Sequence, residues 1–113
     1  MGIQSVLARN AKRLRTLQGR SQRDMAMIAA VSQKTISNLE TPDSQISPKL
    51  STVAAIARYF RIHPAIMLMD GITDDALTDA ELGSMIEQFA GLPQRRKRQI
   101  MDLISDLSSL GSD

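Results

Sequence analysis

The chain has no cysteine, no tryptophan and one histidine, and its aromatic residues are Tyr59, Phe60 and Phe89 alone. Lack of cysteine removes any disulfide framework, and a single histidine with no cysteine leaves a zinc site without ligands. No apolar run reaches membrane-spanning length, and the start shows no basic-then-apolar signal segment, so a soluble cytoplasmic protein is expected. Glycine-rich phosphate loops of the P-loop or dinucleotide type are also missing. His63, the lone candidate for proton transfer, precedes Pro64 and is expected to cap a helix. No catalytic constellation remains, and the expectation is a protein without enzymatic activity, cofactor or metal.

What is present suits helices. At 113 residues and 42% hydrophobic content the chain can build one small core with an extension. With so few aromatics, Leu, Ile, Ala and Met must fill that core, and the fold class is expected to be all-α. Met25, Met27, Met67, Met69, Met85 and Met101 read as flexible core fillers.

The most informative stretch is Ser21 to Glu40, SQRDMAMIAAVSQKTISNLE. Ser21 can cap a helix that buries Met25, Ala26 and Ala29 at helical spacing. Ala30-Val31 makes a turn, and Ser32 caps a second helix whose buried side carries Ile36 and Leu39. The other side of that second helix shows Gln33, Lys34, Ser37 and Asn38, donors and acceptors suited to base edges and phosphates. Two short helices joined by a tight turn, the second with such a face, read as a helix-turn-helix motif for DNA.

The pattern resembles the lambda-repressor-like family of Cro and cI type. The likeness covers roughly the first 70 residues: Arg13-Leu14-Arg15 and Gly19-x-Ser21-Gln22 upstream, and the run from Pro48-x-Leu50-x-Thr52-Val53 through Ile56-Ala57, Phe60, Ile62 and Pro64 to Met67-Leu68 downstream. It implies a five-helix DNA-binding domain over residues 1–70 with a recognition helix from Gln33 to Glu40. Gln22 matches a position that contacts a DNA phosphate at a helix N-terminus. Gln33, Lys34 and Asn38 match base-contacting positions, and Ser32 and Ser37 flank them. Thr41 opens the loop to Ser47 with which the family grips the backbone. Arg15 and Glu40 match an internal salt bridge. Ala30 stands where the family usually has glycine, at a cost of about 1 kcal/mol if that residue is left-handed.

Charge divides the chain in the same place. Residues 1–70 carry ten Lys and Arg against four Asp and Glu, a net +6; residues 71–113 carry four against eight, a net −4. The basic part is drawn to DNA phosphates, and the acidic part is better placed away from the duplex.

Beyond a short polar junction, Gly71 to Asp75, Thr78 and Glu81 have capping-box spacing, with Leu77 and Leu82 as a hydrophobic staple. The helix they open shows Leu82, Met85, Ile86 and Phe89 on one face. A second helix, after Gly91-Leu92-Pro93, shows Ile100, Leu103, Ile104, Leu107 and Leu110. Residues 71–113 thus read as a C-terminal helical hairpin for self-association, since its apolar faces exceed what the two helices can bury against each other. The first domain is the other surface available to cover them. Arg95-Arg96-Lys97-Arg98 reads as a solvated basic run pairing with Glu81, Glu87 or Asp102.

The resemblance implies a transcriptional regulator, in particular a phage-type or prophage-type repressor. It would bind a pseudo-palindromic operator in double-stranded DNA as a homodimer and reside in the nucleoid. About 43 residues after Asp70, with Lys97 the only lysine, cannot house the self-cleaving domain of larger phage repressors. Release would then depend on an antirepressor protein, a ligand or dilution. The rival is an antitoxin whose C-terminal helices bind a toxin while the first domain autoregulates their promoter.

Overall fold

Residues 2–110 are described by a computed structural model, and every regular element among them is a helix. The order is α1 Ile3–Leu17, α2 Gln22–Ala29, α3 Gln33–Leu39, α4 Leu50–Tyr59, a 3-10 helix Pro64–Leu68, then α5 Asp74–Leu77, α6 Ala80–Ala90 and α7 Gln94–Leu110. The all-α expectation and the five helices expected before Asp70 are present. The fifth is a 3-10 helix, because Pro64 starts it and only i to i+3 bonds close it, as from Ile66 N to His63 O at 3.0 Å. His63 is its N-cap, Nδ1 accepting from the Ala65 N–H at 3.1 Å.

Spacing along α1 buries Val6, Leu7, Ala11 and Leu14, and the core they enter is completed by Met25 and Ala26 of α2, Ile36 and Leu39 of α3, Val53, Ile56 and Ala57 of α4, and Ile66 and Met67. α2 packs on α3 and α4, and α1 packs on the 3-10 helix and α5. A polar side chain joins the last pair. Asn10 is fully buried on α1, and its Nδ2 donates to the carbonyls of Met67 at 2.9 Å and Met69 at 3.0 Å, while its Oδ1 accepts from Arg13 Nη1 at 3.1 Å. All of its polar atoms therefore have partners in a place where an unpaired amide would cost about 1–3 kcal/mol.

This core continues past Asp70. Thr73 caps α5 by accepting from the Ala76 N–H at 3.2 Å, and the single turn that follows drops Leu77 into the core with no exposure. Burial of that leucine contributes about 1.5–3 kcal/mol. Arg13 holds the segment from α1 by donating to Ile72 O at 2.8 Å and to Asp74 Oδ1 at 2.6 Å. The capping box expected at Thr78 and Glu81 is not formed: Thr78 ends α5, its hydroxyl donating to Asp74 O, and Asp79 caps α6 by accepting from Glu81 N and Leu82 N. Leu77 is a core residue instead of one half of a staple.

α6 reaches the first domain at Gly83, where an added Cβ would lie 3.0 Å from His63 N and 3.6 Å from Ile62 C. Leu82 and Ile86, on either side of it, pack on the core. α7 buries no residue. The methionines divide accordingly: Met25 and Met67 are core, whereas Met27 on α2, Met69 just after the 3-10 helix, Met85 on α6 and Met101 on α7 are exposed.

Candidate nucleic-acid interface

The turn between α2 and α3 is built around one left-handed residue. Ala30 has φ 55° and ψ 44°, and the reversal is closed by Val31 N donating to Ala26 O at 3.0 Å. Both helices that meet there have good N-terminal caps. Ser21 Oγ accepts from Asp24 N at 3.0 Å, and Asp24 Oδ2 accepts from Ser21 N at 2.9 Å, a reciprocal capping box. These bonds, the one from the Ser21 backbone first and the Ser21 hydroxyl second, hold the Asp24 carboxyl below its ordinary range. Ser32 Oγ accepts from Thr35 N at 3.1 Å at the start of α3.

At its other end α3 is fixed by Glu40. Arg15 Nε donates to Glu40 Oε2 at 2.7 Å and Nη2 to Oε1 at 3.0 Å, so the salt bridge expected from the resemblance is present and bidentate. Hydrogen bonding to Glu40 raises the Arg15 guanidinium above its ordinary range, with burial opposing. Gln22 Nε2 adds a third bond, to Glu40 Oε1 at 3.2 Å. One carboxylate thus joins α1, the first residue of α2 and the end of α3.

With Ile36 and Leu39 buried, α3 turns Gln33, Lys34 and Ser37 outward, all three exposed and side by side. Asn38 is half-buried and lines a cavity of about 150 Å³ with Thr35, Ile46, Pro48, Lys49 and Thr52. Gln22 stands at the opposite end of α3 from Gln33, half-buried on Glu40, with a second amide hydrogen and its carbonyl oxygen still available. Ser32 is exposed, its hydroxyl shared with Thr35 Oγ1 at 2.9 Å. Thr41 is exposed too, but its hydroxyl donates back to Ser37 O at 2.7 Å, leaving it free only to accept.

The loop from Thr41 to Ser47 is held by α1. Gln4 Nε2 donates to Ser44 O at 2.9 Å, and Ser5 Oγ to Pro42 O at 3.1 Å. Neither residue stands out in sequence, because a Gln and a Ser on the first turn of a helix look like ordinary solvated positions. The loop has no Lys or Arg of its own; the next cation along the chain is Lys49, two residues beyond it, in the wall of the Asn38 cavity. The surface of α3, with caps at one end and a fixed ionic anchor at the other, presents amide, ammonium and hydroxyl groups on a rigid helix narrow enough for a major groove.

Residues 12–67 match a family model described as helix-turn-helix. Residues 12–67 form a domain of the lambda-repressor-like helix-turn-helix family. Comparison with curated proteins and with solved structures finds no match. The helix-turn-helix match spans α2, the Ala30 turn and α3, and takes in the end of α1 from Lys12 and the whole of α4. The protein is a DNA-binding transcriptional regulator. No helix among the described residues is long and apolar enough to cross a membrane, and no group of three or more His, Asp or Glu among them could hold a metal ion.

Proposed function

We propose that the protein is a repressor of phage or prophage type that occupies a pseudo-palindromic operator as a homodimer, acting in the cytoplasm at the nucleoid and performing no catalysis. The observation that carries this reading is the outward face of α3, where Gln33, Lys34 and Ser37 are exposed on a helix fixed at both ends. In it, Gln33, Lys34 and Asn38 reach base edges, and Gln22, Ser32, Ser37 and Thr41 contact phosphate or sugar. Gln33 and Asn38 can each pair bidentately with adenine, and Lys34 can reach the acceptors of guanine.

Two copies related by a twofold axis would set their recognition helices about 34 Å apart, in successive major grooves. Support for a second copy comes from the unburied apolar residues of α7. The antitoxin reading draws on that same surface, with a toxin in place of the second copy.

The deciding experiment incubates the full chain with random DNA duplexes at physiological salt and sequences the bound fraction. Enrichment of an inverted repeat with half-sites one helical turn apart is the expected result. A lone half-site would give the antitoxin reading the lead, and no enrichment would overturn sequence-specific recognition.

A further inference from the structure

The loop from Thr41 to Ser47 carries one large apolar side chain, and that side chain does not turn inward. Ile46 is 57% exposed. Its backbone is tethered at both polar groups: Ile46 N donates to Ser44 Oγ at 3.2 Å, and Ile46 O accepts from Gln4 Nε2 at 3.4 Å. Isoleucine is stiff at its branched carbon, so the side chain keeps the direction that this anchoring gives it. It stands beside α3, where it walls the Asn38 cavity of about 150 Å³ together with Val31, Leu39 and Pro48.

The cavity adjoins the proposed reading surface. Asn38 follows Lys34 by four residues, which sets the two one above the other on one face of α3, and Asn38 also forms part of the cavity wall. An opening beside Asn38 faces the neighbour of the base that Asn38 contacts. Lys49 is the one cation in the wall, and the hairpin lends none: Arg95, Lys97 and Arg98 line a separate groove with Phe89 and Met101. The pairing of that basic run with Glu81, Glu87 or Asp102 expected from the sequence is not formed, since every ion pair among the described residues lies in the first domain or joins it to Asp74. Walls of Val31, Leu39, Ile46 and Pro48 favour an apolar guest over a phosphate. Base-pair edges in the major groove present one such group, the C5 methyl of thymine.

We infer that Ile46 reads sequence: its side chain and the cavity beside it receive the C5 methyl of a thymine next to the base that Asn38 contacts. The inference rests on the operator reading above and adds to it a specificity-determining residue outside α3. The family resemblance assigns this loop to gripping the DNA backbone, and Ile46 gives it a second task, base discrimination. Cytosine in the same place has no methyl to bury and brings its N4 amino group to Ile46, which offers it no acceptor.

The test starts from the operator recovered in the selection above. Each thymine of one half-site is replaced in turn by uracil, which removes the methyl and leaves base pairing intact. Binding is titrated with the full wild-type chain and with Ile46→Ala, whose helix content and melting temperature are verified by circular dichroism. At one position uracil should weaken the wild type about fourfold, the effect of one buried methyl group, and should leave the affinity of Ile46→Ala unchanged. Both proteins should bind scrambled duplexes alike. Uracil without effect at every position, or with the same effect on Ile46→Ala, would overturn the assignment of Ile46 and leave operator recognition standing. A selection that recovers no operator would overturn the operator reading and this inference with it.

Discussion

Arg15 grips Glu40 with two hydrogen bonds, at 2.7 and 3.0 Å, across a contact in which the Glu40 side chain is 5% exposed and that of Arg15 16%. Removing one partner leaves the other charge shielded from water and unpaired. Glu40→Ala should therefore cost about 2–4 kcal/mol in urea unfolding. Gln22→Ala, which gives up one weaker bond to the same carboxylate, should cost about 1 kcal/mol or less. Equal losses from the two would mean that the guanidinium is not the dominant partner.

At the α3 surface the proposed roles separate by what a substitution does to sequence preference. Gln33→Ala or Asn38→Ala should relax discrimination at a few operator positions by about 1–3 kcal/mol. Gln22→Ala should weaken binding to all duplexes alike, and Lys34→Ala should in addition lower the slope of log affinity against log salt by about one. Titration of operator and scrambled duplexes at several salt concentrations measures all of these. Asn38 is the sharper case, since it must reach a base from a half-buried position.

Ala30 offers a gain. Its φ of 55° lies where a side chain is strained and glycine is not. Ala30→Gly should raise stability by up to about 1 kcal/mol, seen as a melting temperature higher by roughly 4 °C, while Gly19→Ala, at φ 66°, should lower it by a similar amount. A fall in melting temperature for Ala30→Gly would show that chain entropy outweighs the strain.

Acid should loosen the start of α2. The Asp24 carboxyl titrates below its ordinary value in the folded chain, through its bonds with Ser21. A depressed folded value means that this contribution is complete above the unfolded aspartate range and is lost as pH falls through the folded value. The stability difference between the wild type and Asp24→Asn should accordingly be largest near neutral pH and close progressively below the ordinary aspartate range. A difference that stays constant down to strongly acidic pH would exclude the linkage.

Much of the first domain was legible in sequence because its signals are local. The caps at Ser21, Ser32 and His63, the buried Met25, Ala26, Ile36 and Leu39, and the Arg15 pair with Glu40 all stand where periodicity, capping chemistry or the family resemblance put them. Where local and tertiary demands compete, sequence misleads. Thr78 and Glu81 have the spacing of a capping box, but sinking Leu77 into the core requires a turn of helix that ends at Thr78, and Asp79 takes over the cap. Asn10 is silent for a similar reason: a lone amide on an amphipathic helix reads as surface until the two carbonyls it serves are known.

The contact at Gly83 links assembly to recognition. A side chain there would press on His63 N, so Gly83 fixes how closely α6 approaches the first domain, with Leu82 and Ile86 packed on the core beside it. In the homodimer proposed above, joined through the C-terminal hairpin, that junction acts as the elbow between the handle and the reading head. Its angle sets how far apart the two heads land on the duplex. Operator spacing could then drift over evolutionary time through changes at the Gly83 elbow, without any change in the residues that read the bases.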